Sequence, residues 1–351
     1  VAGTDGLDDE EWRTLLIRLA GGVEEAWALV VPDLAKAAFM QPPVPERSLD
    51  SFGEPIAQPD LLDLPVTAKN HDLKMGRVAA PHPDAWVYVL VSMQTGEGYS
   101  GRGWYGIARM NGGFSSRTGV GLAPGLSLSG RWRRDVRVLL SAHDEVCTAV
   151  GYPSSGGRGL LWLEPWDGSS SLPLYECDPW AVEVARRVRL VATEEQLVAR
   201  TRSTNAPRLA AEESKGNTGD PWAVLDRARA VCLTLDGGGF HYRRAQDLLF
   251  GPGWQAGVAG DPERDLPEDP IYVLQSLVRG QGGTDGYHER LLPVPRRVVG
   301  LLRSASARAD LGVATARRVE MASLVRNKVL GHAICALLQG GADKLKFDDD
   351  R

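Results

Sequence analysis

Read for its alternation of apolar and polar positions, the chain opens on a short amphipathic helix. Between Leu7 and Leu34 the acids Asp8, Asp9, Glu10 and Glu11 precede apolar Trp12, Leu15, Leu16 and Leu19. That spacing draws one helical face, with negative charge at its N-terminal end. Gly21-Gly22 stops it, and Trp27 to Val31 is a short strand or a further helical turn. Ala38 to Pro65 is rich in proline and reads as ordered irregular chain. Asp84 to Met93 is a dense apolar run, expected as a buried core helix with a strand as the alternative. Gln94 to Gly103 reads as a loop punctuated by glycine. Arg131 to Leu140 reads as a basic helix with Trp132, Val136, Leu139 and Leu140 on one side.

Further on, Leu160 to Trp166 has the look of a strand closed by the Asp167-Gly168 turn. Asp178-Pro179 predicts a helix start, with Asp as cap and Pro at the first helical position. That helix would run through Val188 and place Arg186, Arg187 and Arg189 at its end. Thr201 to Asp220 is polar and reads as a loop or a flexible hairpin. Ala230 to Leu235 is an expected strand ended by Gly237 to Gly239, and Phe240 to Phe250 resumes helical spacing. Asp261 to Pro270 is an acidic linker, and Ile271 to Val278 is helical or extended. Val298 to Leu338 alternates as two bundle helices would. The fold class expected is α+β: a large mixed α/β N-terminal domain over 1–295, then a partial C-terminal helical bundle over 296–351.

Composition changes this picture little and charge changes it more. A chain of 351 residues with 43% hydrophobic and 24% charged residues is ordinary for a globular protein. It has room for one large domain and a smaller one. No uninterrupted apolar run approaches about 18 residues, and no membrane partner is expected. The chain begins with valine and shows no secretory leader, so the reading expects a trimmed start and a cytoplasmic compartment. Cys147, Cys177, Cys232 and Cys335 are too dispersed for a compact metal or disulfide framework, and neither a metal nor a cofactor is expected. The net charge of −5 hides segregation. Residues 1–98 carry 16 acids against 7 bases. Residues 99–139 carry 7 bases (Arg102, Arg109, Arg117, Arg131, Arg133, Arg134 and Arg137) against Asp135 alone. Residues 270–330 carry 10 bases against 4 acids. Two concentrated basic segments on an acidic mean suit local binding of a polyanion, with solvent-facing charge as the plainer alternative.

The candidate chemistry centres on Trp104 to Leu122, W-Y-G-I-A-R-M-N-G-G-F-S-S-R-T-G-V-G-L. Glycine and asparagine tolerate a positive φ and let a backbone come close to a ligand. Arg109 and Arg117 bracket Asn111-Gly112-Gly113, and bare N–H groups beside guanidinium donors suit phosphate. A glycine-rich hairpin loop is the plain alternative. No phosphate loop, zinc helix or nucleophile elbow is present. The His71-Asp72 pair could begin a metal-dependent nuclease site, although such sites need several further ligands.

Several segments together resemble the large subunit of type I-E Cascade, the CasA family of CRISPR surveillance complexes. They are A-F-M-Q at Ala38, M-Q-T-G-E-G-Y-S-G-R-G-W-Y-G-I-A-R-M-N-G-G-F from Met93, C-D-P-W at Cys177, and L-V-R-G-Q-G-G-T-D-G-Y-H-E-R from Leu277. The resemblance implies a non-catalytic subunit that inspects duplex DNA for a short adjacent motif (the PAM) and begins strand separation with a glutamine wedge. On that basis Asn111, Gly112 and Gly113 match the motif-reading glycine loop, and Gln281 with Gly280 and Gly282 matches the wedge. Gln94, Thr95, Gly96, Gly101 and Arg102 fall in the loop that grips the guide complex. Arg109, Arg117, Arg279, Arg227 and Arg229 are candidate further nucleic-acid contacts. The implied partners are guide RNA, double-stranded target DNA, other Cascade subunits and a recruited helicase-nuclease. The family's N-terminal Trp-Ile-Pro strand has no counterpart, and only about two helices of its C-terminal bundle do. A metal-dependent nuclease using His71 and Asp72, or a purely structural RNA-binding scaffold, are the rival readings.

Overall fold

Thr118 enters a β-sheet opposite Ser276, and the chain before and after that point is arranged around the pairing. The computed structural model describes residues 6–62, 81–112, 117–280 and 283–340, with only the backbone described at 279, 280 and 283–285. Helix α1 (Asp9–Leu19) is followed by helix α2 (Pro83–Gly96), strand β1 (Thr118–Ala123) and helix α3 (Leu128–Val150). Seven short strands come next: β2 (Arg158–Leu160), β3 (Leu172–Pro173), β4 (Cys177–Val182), β5 (Arg187–Ala192), β6 (Leu197–Arg202), β7 (Leu209–Ala210) and β8 (Val224–Asp226). Then follow β9 (Val231–Cys232), helix α4 (Tyr242–Phe250), β10 (Trp254–Ala256), β11 (Ile271–Gly280) and β12 (Gly283–Pro293). Helices α5 (Arg296–Val299), α6 (Ala305–Val325) and α7 (Gly331–Gln339) complete the order.

The largest sheet has the order β1-β11-β12, all antiparallel. In β11 the residues Tyr272, Leu274, Ser276 and Val278 are buried at the period of two of a strand with one face on a core, and Val273 between them is buried as well. That settles Ile271 to Val278 as extended. The two hydroxyls of the Thr118–Ser276 pair lie 3.0 Å apart and satisfy each other inside the sheet. β10-β8-β9 form a second sheet, β5 and β6 a hairpin, and β2-β4 and β3-β7 short parallel pairs.

Two apolar cores result. One gathers Trp86, Leu90, Met93, Ala142, Val146, Leu161, Trp162 and Leu190 from α2, α3, the 3-10 turn after β2 and strand β5. The other joins Val120, Leu122, Leu235, Phe240, Leu248, Leu274 and Leu302 between the large sheet, α4 and the chain beyond α5. Helix α1 is capped as its sequence predicts, by Asp8 and Glu11 in a reciprocal box, and ends before Gly21 and Gly22, both with positive φ. Asp84 to Met93 is the buried core helix expected, with Trp86 and Leu90 fully enclosed.

Other expectations need correction. Helix α3 is longer than predicted and its buried stripe is rotated from the expected side, leaving Val136 and Leu139 half-buried. Its buried positions are Arg134, Asp135, Val138, Ala142, Val146 and Cys147, while Trp132 and Leu140 are exposed. The rotation is dictated by Arg134, whose fully buried guanidinium donates to the carbonyls of Leu122, Ala259 and Asp265. Asp178-Pro179 opens strand β4, not a helix, because Cys177, Pro179 and Ala181 alternate inward on a pleat. Leu160 to Trp166 is strand only to Leu160, and a 3-10 turn follows. Val298 to Leu338 is one helical run from Ala305 to Gln339, with a short turn before it. An 18-residue window of that run has a mean hydropathy of 1.2 and is unburied. Arg326 and Lys328 interrupt it, which is why no uninterrupted apolar stretch stands out in the sequence.

Much of the remaining chain is irregular, and buried arginines hold it. Arg189 donates to the carbonyls of Val31, Asp33 and Lys36. Arg208 does the same for Leu161, Glu164 and Pro165. Arg186 reaches Gly98 and Tyr105. A guanidinium has five donors in a rigid fork, so one side chain can satisfy several loop carbonyls that no ladder serves. The cost is visible in the charge: burial pushes Arg189 and Arg208 down to about 10.

Candidate nucleic-acid interface

The glycine loop is tied down at both ends. At its entry Ile107 N–H donates to the Glu97 carbonyl, and Ala108 N–H donates to both carboxylate oxygens of Glu183, at 2.8 and 3.0 Å. Arg109 then reaches the carbonyls of Pro179 and Ala181 on β4. At its exit Arg117 N–H donates to the Gly96 carbonyl. The Arg117 side chain pairs with Asp220 at 2.5 and 2.6 Å and lies 5.4 Å over the Trp222 ring. Between these anchors Asn111 is half-buried and Gly112 is exposed, with φ +62 and open space where a Cβ would stand. Gly113 lies outside the described residues. Arg109 and Arg117, expected as nucleic-acid contacts, are corrected on this point: their guanidiniums fasten the loop to the protein.

The same correction thins the first basic segment. Arg131 faces Asp135 and Gln275, Arg134 is enclosed, and Arg137 pairs with Asp265. Arg102, Arg133 and Arg137 are the exposed members.

Glu183 is 3% exposed, and burial pushes its carboxyl up to about 7, against the opposing pull of the Ala108 N–H and of Arg109, Arg117 and Arg208. Asp220, equally enclosed, goes the other way. Burial would raise it, but the Arg117 charge and hydrogen bonds hold it below the usual carboxylate value. Neither acid was expected as part of the site. Glu183 could have been found as the one acid in the apolar alternation of Trp180 to Ala185. Asp220 offers no such cue, since its partner lies 103 residues away.

The β11–β12 hairpin carries the other half of the site. Its strands pair from Ile271–Pro293 out to Gly280–Gly283, with an irregularity between Val278 and Arg279. Gln281 and Gly282 lie outside the described residues, as do the side chains of Arg279 and Gly280. Because β1 runs antiparallel to β11 from the Thr118–Ser276 pair, the chain just before Thr118 leaves the sheet at the end toward which β11 runs. Thr118, where the glycine loop returns to the sheet, and the last hairpin pair, Gly280–Gly283, therefore lie toward the same end of the sheet. Asn111 also shares a small cleft with Val224, Cys232 and Leu233 of the β8–β9 region. Arg227 and Arg229 sit exposed on the turn joining those strands. Arg227 Nε donates to the Trp254 carbonyl, and Arg229 stands 3.5 Å from Asp226.

The expected docking loop is shorter than its sequence suggests. Helix α2 runs to Gly96, so Gln94, Thr95 and Gly96 are helical. Gln94 is wholly buried: it donates to the Met40 and Arg186 carbonyls and accepts from Arg186 N–H. Thr95 turns its hydroxyl back to the Val91 carbonyl. Gln94 as a guide-RNA contact is therefore corrected to a core tether. The exposed residues of the loop are Ser100 and Arg102, the latter in the turn Gly101–Trp104, where Gly101 and Gly103 have positive φ. Beside it Tyr99, Tyr105, Gly106 and Gly112 line a cavity of about 260 Å³. His71 and Asp72 lie outside the described residues. Among the described residues no group of three His, Cys, Asp or Glu converges on a metal-sized site.

No family model matches the chain, and no curated protein matches it. Solved structures do. Thermus thermophilus CasA (Cse1) superposes with a TM-score of 0.55 at 16% identity, over 95% of this chain and 68% of that one. A second CasA structure from the same organism gives 0.50 at 16% identity, over 85% of this chain and 59% of that one. Across most of its length, then, this chain has the CasA fold.

Proposed function

We propose that the chain is the non-catalytic large subunit of a CRISPR RNA-guided surveillance complex, working in the cytoplasm beside guide RNA and other Cascade subunits. It reads the PAM in double-stranded DNA with the backbone of Asn111, Gly112 and Gly113. The turn Gly280-Gln281-Gly282 then starts duplex opening, and the complex recruits a helicase-nuclease. Residues 1–295 form the reader and 296–351 the start of a helical bundle. The observation that supports this reading is the Thr118–Ser276 register, which sets Thr118 and the Gly280–Gly283 pair toward the same end of one sheet.

The physics supports the division of labour. A minor groove about 6 Å wide admits bare backbone where bulky side chains cannot follow, and it distinguishes A·T from G·C pairs. Unstacking one base step costs a few kcal/mol, offset by contacts to the opened duplex. A wedge next to the reader couples the two, so that only a duplex already held at its motif is opened. Arg102 meets the guide complex, and Arg227, Arg229 and Arg279 meet phosphate, in keeping with a protein that reads motif and shape while RNA reads sequence.

The test is a gel-shift titration of the protein assembled with its guide complex, against duplexes differing only at the candidate motif. The reading expects a preference of about tenfold, ~1.4 kcal/mol, lost in Gly112→Asp. It also expects Gln281→Ala to impair opening in a fluorescent base-unstacking assay while guide assembly persists. Equal binding to both duplexes by the unsubstituted protein would leave a scaffold with basic faces.

A further inference from the structure

Behind the hairpin lies a surface that the motif-reading machinery does not use. Helix α4 begins at Tyr242, capped by His241, whose Nδ1 accepts from Arg244 N–H. Its start is pressed against β12: Gly239 has φ +60, and a Cβ there would stand 2.3 Å from His288 Nδ1. Two residues along the same face of β12, Arg290 lays its guanidinium over the Tyr242 ring, 4.6 Å from the centroid. Tyr242 is nevertheless 68% exposed, so the ring that Arg290 backs remains largely accessible to solvent. Its hydroxyl makes no hydrogen bond to the described residues. Arg243 is exposed beside it, and Arg244 faces Asp236 at 3.9 Å. Asp247, on the same helix, is engaged by Trp254 Nε1.

We propose that Tyr242, backed by Arg290 and flanked by Arg243 and Arg244, is a stacking site for an unpaired base of single-stranded DNA. An aromatic face is useful to a base only when the base has left its own stack, which makes this a single-strand site and not a duplex one. The cation beneath the ring fixes its plane and adds its attraction to the stack, while the neighbouring arginines meet phosphate. The position fits the source of such a strand. Arg290 pairs with Leu274, six residues from Gly280, so the platform lies about 20 Å back along the hairpin from its turn at ~3.4 Å per residue. A strand displaced at the turn would reach it within a few nucleotides. This step rests on the reading above; the binding site itself does not.

The test is a fluorescence-anisotropy titration of the full chain with a labelled 15-nucleotide oligothymidylate and with the same oligonucleotide made abasic throughout. Tyr242→Ala should weaken binding of the oligothymidylate about fivefold or more. Tyr242→Phe and Tyr242→Trp should bind as the unsubstituted protein does, and the abasic strand should not distinguish Tyr242→Ala from it. Unchanged binding by Tyr242→Ala overturns the proposal. A loss in Tyr242→Phe equal to that in Tyr242→Ala also overturns it, because the hydroxyl and not the ring face would then carry the contact. Absence of motif preference in the unsubstituted protein's duplex titration would sink the functional reading and leave this result standing.

Discussion

Arg117 grips Asp220 with two parallel hydrogen bonds, Nε to Oδ2 at 2.5 Å and Nη2 to Oδ1 at 2.6 Å, and the Asp220 side chain has no exposed surface. Trp222 N–H fills the remaining demand on Oδ1, and the Trp222 ring lies beneath the guanidinium. Arg117 closes the glycine loop, so this pair fixes where the loop returns to the sheet. Glu183 fixes where it departs. Both ends of the loop are thus held by buried acids.

Removing one member of the Arg117–Asp220 pair strands the other. Asp220→Asn and Arg117→Ala should each destabilise the fold by about 3–5 kcal/mol, the usual cost of an uncompensated buried charge, read by urea unfolding at pH 7. The pH sign follows from the lowered Asp220 value. Its stabilisation is present above the ordinary carboxylate value and is lost as pH falls through the folded one, so Asp220→Asn should flatten the acid limb of the stability curve. Equal acid limbs would show that the pair is not coupled to folding.

Glu183 predicts the opposite slope. With its folded value near 7 and its ordinary value at 4.5, the folded state holds a proton between those limits that the unfolded chain has released. Its contribution to stability therefore falls as pH rises through that window and is flat above it. Glu183→Gln keeps an acceptor for Ala108 N–H and removes the titration. Unfolding free energies at pH 5 and pH 8 should differ less in this variant, by up to about 3 kcal/mol, since a tenfold change in proton affinity between the two states is worth ~1.4 kcal/mol. Parallel pH profiles for the two proteins would rule Glu183 out as the titrating group.

Gln94 separates a structural tether from a docking contact. Gln94→Ala leaves the Met40 and Arg186 carbonyls and the Arg186 N–H without a partner. With unsatisfied buried groups costing about 1–3 kcal/mol each, stability should drop by ~3 kcal/mol or more. Arg102→Ala, on the exposed turn, should leave the melting temperature in place and weaken assembly with the guide complex. Assembly lost in Gln94→Ala with no change in melting would reverse these assignments.

How far the sequence could be read depended on whether a structure is set locally. Helix α1, with its capping box and glycine stop, and helix α2, apolar nearly throughout, follow from residues within a few positions of each other. Cys177 to Val182 does not. Asp178-Pro179 has the chemistry of a helix start, and only parallel pairing with β2 and inward alternation make it a strand. Arginine misled most. In Arg109, Arg117 and Arg134 the same cue that suggests phosphate marks a side chain serving carbonyls or an acid more than 60 residues distant, which no local pattern discloses. The glycine-rich segments at Asn111 and Gly280 were legible as motifs, but the hairpin that carries the second, and the Thr118–Ser276 register that sets both toward one sheet end, were not.

Gly239 and His288 test whether that sheet end is built as a unit. Alanine at 239 meets two separate obstacles: a φ of +60, which costs an L-residue about 1–2 kcal/mol, and three His288 ring atoms within 3.0 Å of the new Cβ. The second obstacle disappears in His288→Ala, and the first does not. Gly239→Ala should therefore destabilise the protein by several kcal/mol, and the double variant should lie only about 1–2 kcal/mol below His288→Ala alone. Thermal or urea unfolding of the four proteins gives the coupling directly. Additive losses would mean that the α4 start yields without reference to β12, and the stacking of Arg290 on Tyr242 would lose the rigid seat it depends on.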